Sequence, residues 1–175
     1  NATLPATPIT ITVPGNATPA IYNANLTVRN TTTNAVSVTY PITITVTALP
    51  TAGIVNNTGA TNVTCAIPSI SLTATGGTSY SWSNGASVVS SIANLSVTSA
   101  GTYTVTVTTN GCSSTANVVI TQNTAATSSS QTVTACDTYL WSVNGTTYTT
   151  SGTYTFVGTN AEGCVDTKTL NLTIN

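Results

Sequence analysis

Residues 101–120 read Gly-Thr-Tyr-Thr-Val-Thr-Val-Thr-Thr-Asn-Gly-Cys-Ser-Ser-Thr-Ala-Asn-Val-Val-Ile. Tyr103, Val105 and Val107 alternate with Thr, which places apolar side chains on one face of a strand and hydroxyls on the other. Asn110-Gly111 then marks a tight turn, and Val118-Val119-Ile120 supplies the apolar return. The same period of two recurs in Ile9–Val13 and Ile42–Val46, with Thr between the apolar positions. Thr, Val, Ile and Tyr favour such half-buried strands. Turn dipeptides recur at Gly76-Gly77, Asn84-Gly85 and Asn144-Gly145. No window carries apolar residues at helical spacing, so the expected fold is all-β and antiparallel, with essentially no α-helix.

Composition excludes several functions. Among 175 residues there are two basic side chains (Arg29, Lys168), three acidic ones (Asp137, Glu162, Asp166), no His and no Met. General acid–base catalysis needs a tuned titratable group at the reacting atom, and a Ser–His–Asp triad needs His. No catalytic residue, cofactor site or metal site is expected, and the chain is read as not an enzyme. Phosphate neutralisation requires many Lys and Arg, so nucleic acid is not an expected partner. The apolar runs are far shorter than the roughly 20 residues of a membrane-spanning helix. A charged fraction of 3% is extreme, yet 40% of residues are hydrophobic and they alternate, so the chain is expected to fold. It opens at Asn1 without Met or an apolar leader and is expected to be a mature product or a fragment.

A repeat organises the chain. One copy runs Cys65, Tyr80-Ser-Trp82-Ser-Asn84-Gly85, Gly101-Thr-Tyr103-Thr-Val105, Gly111-Cys112, then Val118-Val119-Ile120. The next runs Cys136, Tyr139-Leu-Trp141-Ser-Val-Asn144-Gly145, Gly152-Thr-Tyr154-Thr-Phe156, Gly163-Cys164, then Leu170-Asn-Leu172-Thr-Ile174. The second is shorter by a strand or two. Residues 1–50 match only the closing strands, from Ile21 to Val28 and from Val36 to Val46. Linker-like boundaries fall at Leu49–Gly53 and at Thr124–Ser130. The expected domains are a partial β-module at 1–50, a sandwich at 51–123 and a shorter module at 124–175. An incomplete sandwich exposes a strand edge and an apolar face. Either residues upstream of Asn1 complete it, or another chain does so by strand addition, which would make the protein its own partner.

Four cysteines imply disulfides and an oxidising compartment. The repeat suggests Cys65–Cys112 and Cys136–Cys164, one bridge within each module, each worth about 3–4 kcal/mol on the chain-entropy model. Cys-x-x-Cys spacing is absent, which disfavours redox or zinc chemistry. Trp82 and Trp141 hold matching places and are expected in the core; the competing role is a sugar-stacking platform. Tyr103 and Tyr154, each after Gly-Thr, are expected as packing and corner residues. The Thr-x-Thr rows could order water on an ice-binding face, although ordinary sheets twist away from such flatness. Asn-x-Ser/Thr sequons are numerous, at Asn1, Asn16, Asn25, Asn30, Asn56, Asn62, Asn94, Asn144 and Asn171 among others, and O-glycosylation of the Thr-rich surface is a further expectation. Asp137, Glu162 and Asp166 lack the spacing of a Ca²⁺ loop and are expected to be solvated.

The motifs Leu49–Gly53, Ile70-Ser-Leu72-Thr-Ala74-Thr-Gly76-Gly77, Tyr80–Gly85, Gly101–Val107 and Gly111–Thr115 resemble the Ig-like (PKD-like) repeats of very large secreted surface proteins of Bacteroidetes. Residues 136–164 are similar to a companion short repeat of those proteins. The resemblance covers about residues 50–175 and implies tandem Ig-like β-sandwich modules, secreted by a type IX route and attached to the cell surface. Tyr103 stands nine residues before Cys112 where antibody-type domains have two, so antibody-like binding loops are not implied. The expected function is a structural or adhesive module of an extracellular bacterial filament, stalk or adhesin. The alternative is a carbohydrate- or ice-binding sandwich, with surface glycans as partners.

Overall fold

The computed structural model describes residues 10–175; Ile9 and the Asn1 sequon lie outside them. Among the described residues every regular element is a strand. Strands β1 (Ala20–Leu26) and β2 (Tyr40–Val46) form an antiparallel hairpin with Ala20 opposite Val46. An Arg29–Val36 bridge extends it toward the turn. Thr10–Val13, expected as part of a strand, joins no ladder. Ile11 and Val13 instead line an apolar groove with Pro14, Ala17, Tyr22, Ile44 and Val46. Alternation reports that one side of a segment meets apolar surface, whereas a ladder also needs a neighbour's free N–H and C=O groups in register.

Residues 53–123 form two packed sheets. One is the order β4 (Asn62–Thr64), β10 (Cys112–Asn123), β9 (Gly101–Thr109), β6 (Ser79–Ser83), β7 (Val88–Ser90). The other is β3 (Gly53–Asn56), β5 (Ile70–Thr75), β8 (Asn94–Val97). Between them lie Val63, Ile70, Leu72, Ala74, Trp82, Val97, Tyr103, Val105, Val107 and Ile120, all buried. Full burial of each large aliphatic side chain contributes roughly 1.5–3 kcal/mol. The β9–β10 turn places Asn110 at φ 51° and Gly111 at φ 78°. Two successive positive φ values match the twist of the flanking strands, which is why Asn-Gly sits there. Gly76 has φ 97°, and a Cβ there would lie 1.8 Å from the Thr51 carbonyl oxygen, so the β5–β6 turn packs on the incoming linker only without a side chain.

The C-terminal segment builds a three-stranded sheet in the order β11 (Thr127–Ala135), β15 (Val165–Ile174), β14 (Gly152–Thr159). A hairpin of β12 (Tyr139–Trp141) and β13 (Thr146–Tyr148) covers its apolar face. Trp141, Leu170 and Leu172 are buried, with Tyr139, Tyr148 and Tyr154 packed on them. Strand β11 corrects the expected linker at Thr124–Ser130: only Thr124–Ala126 connects, and Thr127 already pairs with Asp166. Its polar run hid a strand held by backbone pairing rather than by an apolar face of its own.

Candidate assembly site

In both larger units the strand that leads into the unit's first cysteine runs parallel to the last strand. Asn62–Thr64 of β4 lie opposite Thr121–Asn123 of β10, and β11 lies parallel to β15 with Ala135 opposite Ile174. Cys65 therefore emerges where β10 ends, near the Thr124 carbonyl. Cys164, just before β15, lies near the carbonyl of Asn123. These two sulfurs are bonded, with Cα atoms 5.0 Å apart and a sequence separation of 99. Cys112 and Cys136 are free.

This corrects the expected pairs Cys65–Cys112 and Cys136–Cys164. Cys112 opens the 12-residue strand at whose far end Cys65 sits. At about 3.3 Å per residue they are roughly 35 Å apart, against the roughly 7 Å limit for Cα atoms of a disulfide. Cys136 follows the end of β11 while Cys164 precedes the start of its parallel neighbour β15, again a separation of roughly 30 Å. Cys65 thus meets the C-terminal unit, and the bond staples the junction between it and the central one.

The junction is backed by other contacts. Ala66 N–H donates to the Glu162 carbonyl at 3.1 Å, and the Asn160 side-chain amide donates to the Ala125 carbonyl at 3.1 Å. Asn160 Oδ1 also accepts from the N–H groups of Glu162 and Cys164, which shapes the turn that presents Cys164. Gly163, at φ 76°, sits so close to Ala66 that a Cβ would lie 2.8 Å from the Ala66 Cβ. The disulfide points to an oxidising compartment outside the cytosol.

The β1–β2 hairpin reproduces the closing hairpins of the two larger units. Tyr22, Tyr103 and Tyr154 each donate to the carbonyl four residues earlier, of Thr18, Ser99 and Thr150, at 2.9, 3.1 and 2.9 Å. Each tyrosine pairs across the hairpin with an apolar residue of the closing strand, Ile44, Val118 or Leu170. The last strands of the larger units have a parallel strand, β4 or β11, on their outer edge; among the described residues β2 has none. Ile21, Val36, Val38 and Tyr40 are more than half exposed there, and the groove lined by Tyr22, Ile44 and Val46 has a volume of about 210 Å³. Cys112 stands at this end of the central unit, its Sγ 3.0 Å from Thr47 Oγ1 just past β2. Cys136 lies exposed at the pole of the C-terminal sheet opposite Cys164, followed by Asp137 at φ 62°.

The other sequence-derived residues are placed as follows. Trp82 and Trp141 are 0% and 1% exposed, so neither offers a ring face to a sugar. Trp82 Nε1–H donates to the Ala93 carbonyl at 3.2 Å, whereas Trp141 Nε1–H finds no acceptor in the protein. The loop holding Ala93 is part of what the shorter unit lacks. Tyr103 is buried and Tyr154 half-buried. The outer face of the five-stranded sheet carries three aligned rows: Ser83–Thr104–Asn117, Ser81–Thr106–Thr115 and Ser79–Thr108–Ser113. Sequence reading found the Thr rows but not their Ser neighbours, because cross-strand register is needed to align them.

Charged groups converge nowhere. Lys168 Nζ is 2.9 Å from Asp166, whose other oxygen accepts from Thr127 Oγ1 at 2.8 Å. The Lys168 ammonium, seconded by the Thr127 hydroxyl, holds the Asp166 carboxyl below its ordinary range. Arg29 donates to Asn34 Oδ1. Among the described residues no three His, Cys, Asp or Glu side chains are grouped to hold a metal ion, and no helix is long and apolar enough to cross a membrane. No family model, curated protein or solved structure matches the chain.

Proposed function

We propose that this chain is a non-catalytic structural or adhesive element of an extracellular bacterial filament or stalk, built from tandem units stapled end to end. The observation that carries this reading is the β1–β2 hairpin. It repeats the closing hairpin and tyrosine corner of two larger units, yet shows an apolar groove and an open outer edge among the described residues. An open edge beside apolar surface favours pairing with another strand. The resemblance to surface repeats of Bacteroidetes and the disulfide fit secretion and attachment to a cell surface. The near absence of charge leaves no long-range repulsion between subunits. Sedimentation and negative-stain electron microscopy of concentrated protein test the reading. Regular head-to-tail filaments are expected, and a dispersed monomer at every concentration would refute it.

One observation favours a second reading. The three rows of hydroxyl and amide side chains form an uncharged grid suited to an ordered water layer or a polysaccharide surface. Thermal hysteresis or retention on crystalline polysaccharide, lost on Thr106→Val, would support it; no binding to either surface would remove it.

A further inference from the structure

The free thiols occupy places that are bonded elsewhere in the same molecule. Cys112 opens the last strand of the central unit, as Cys164 precedes the last strand of the C-terminal one. Cys136 follows β11 and Cys65 follows β4, each the strand that runs parallel to its unit's last. The Cys65–Cys164 junction is therefore a template, in which the cysteine after the strand parallel to one unit's last strand bonds the cysteine before the last strand of the unit after it. Cys112 needs a partner arriving from the N-terminal side, on a strand parallel to β2. Cys136, following β11, offers such a partner. Strand β11 is an edge strand, parallel to β15 on one side and unpaired on the other among the described residues. Neither β11 nor β2 carries a charge to oppose their approach.

We infer that Cys136 of one copy forms a disulfide with Cys112 of the next copy, with β11 of the first lying parallel along the outer edge of β2 of the second. The inference rests on the structural reading above and names its partner, strand and bond. The pairing gives one sheet of order β1-β2-β11-β15-β14 across two copies. It brings Cys136 past the end of β2, where Thr47 contacts Cys112. Each chain carries one thiol of each kind, Cys112 where the β1–β2 hairpin meets the central unit and Cys136 after β11, so the assembly propagates head to tail. Bond formation takes two protons and two electrons from the two thiols. A small-molecule or protein disulfide accepts them and leaves as two thiols.

The test oxidises the full chain with oxidised glutathione and compares it with Cys112→Ser, Cys136→Ser and their equimolar mixture on non-reducing gels. The parent is expected to give a ladder that collapses on reduction. Each single variant alone is expected to stay monomeric, and the mixture to stop at dimer, because one variant supplies only Cys136 and the other only Cys112. Dimers in a single variant alone would mean like-with-like pairing and would overturn the inference. So would loss of both thiols in the parent without a ladder, or persistence of both as thiols or glutathione adducts. Sedimentation of the Cys112→Ser/Cys136→Ser double variant separates the two readings. If this variant and the parent both assemble without a ladder, the bond falls and the filament reading stands. If neither assembles and no ladder forms, both fall.

Discussion

Replacing both Cys65 and Cys164 with Ser should uncouple two cores that the native chain unfolds with unequal difficulty. The central core buries ten side chains and the C-terminal core three, so the C-terminal unit opens first. While the central sandwich stays folded, the bond holds Cys164 beside Asn123, the last residue of β10. The unfolded C-terminal segment is then a closed loop of roughly 40 residues, and the chain-entropy relation assigns its closure about 4 kcal/mol. Unfolding the central unit afterwards only enlarges that loop to the full 99-residue separation, which adds about 1 kcal/mol. Each core holds one tryptophan, Trp82 or Trp141. Urea titrations of Trp82→Phe and Trp141→Phe backgrounds, with and without the two Ser substitutions, therefore read each core by its remaining indole. The transition reported by Trp141 should lose about 4 kcal/mol and that reported by Trp82 about 1 kcal/mol. Equal shifts at both indoles, or an unmoved Trp141 transition, would refute the reasoning.

Gly76→Ala should cost about 3 kcal/mol in thermal unfolding, because the residue combines φ 97° with a Cβ position 1.8 Å from the Thr51 carbonyl oxygen. Trp82→Phe should destabilise more than Trp141→Phe by about 1–3 kcal/mol in matched denaturation curves. The first leaves the Ala93 carbonyl without its donor, while the second removes a buried N–H that has no acceptor. Asp166 is held below its ordinary range by Lys168 and Thr127, so its contribution to stability is in place above about pH 4 and is lost as the pH falls further. Melting curves from pH 8 to pH 2 should show this acid-side decline, and Asp166→Asn should reduce it.

The strands with a half-buried face were legible in sequence. Tyr103–Val107 and Ile42–Val46 alternate because one side of each meets apolar surface, and Asn110-Gly111 fits a turn that needs two positive φ values. Strand β11 was not legible, since Thr127–Gln131 is polar on both faces and is held by the backbone of β15. The disulfide pairing failed for a related reason. The repeat gives each cysteine its place in a unit, but a Cys65–Cys112 bond requires that the strand leading into Cys65 end where the last strand begins. Parallel pairing of β4 with β10 and of β11 with β15 puts those ends at opposite poles. Strand direction is a tertiary property that local alternation does not encode. The edge of β2 that is unpaired among the described residues matches the missing first half of the repeat, whereas the placement of Cys112 beside Thr47 required the folded chain.

The Cys65–Cys164 bond joins two units where the repeat suggests a bridge within each, and one digest decides between them. No Tyr, Trp, Phe or Leu lies between Tyr103 and Tyr139, so cleavage after aromatic residues and Leu releases Thr104–Tyr139 with both Cys112 and Cys136. Mass spectrometry of unreduced native protein should find the Cys65 peptide joined directly to the Cys164 peptide, with Thr104–Tyr139 outside that link. Cys65 and Cys164 peptides both joined to Thr104–Tyr139 would restore one bridge per unit and contradict the account.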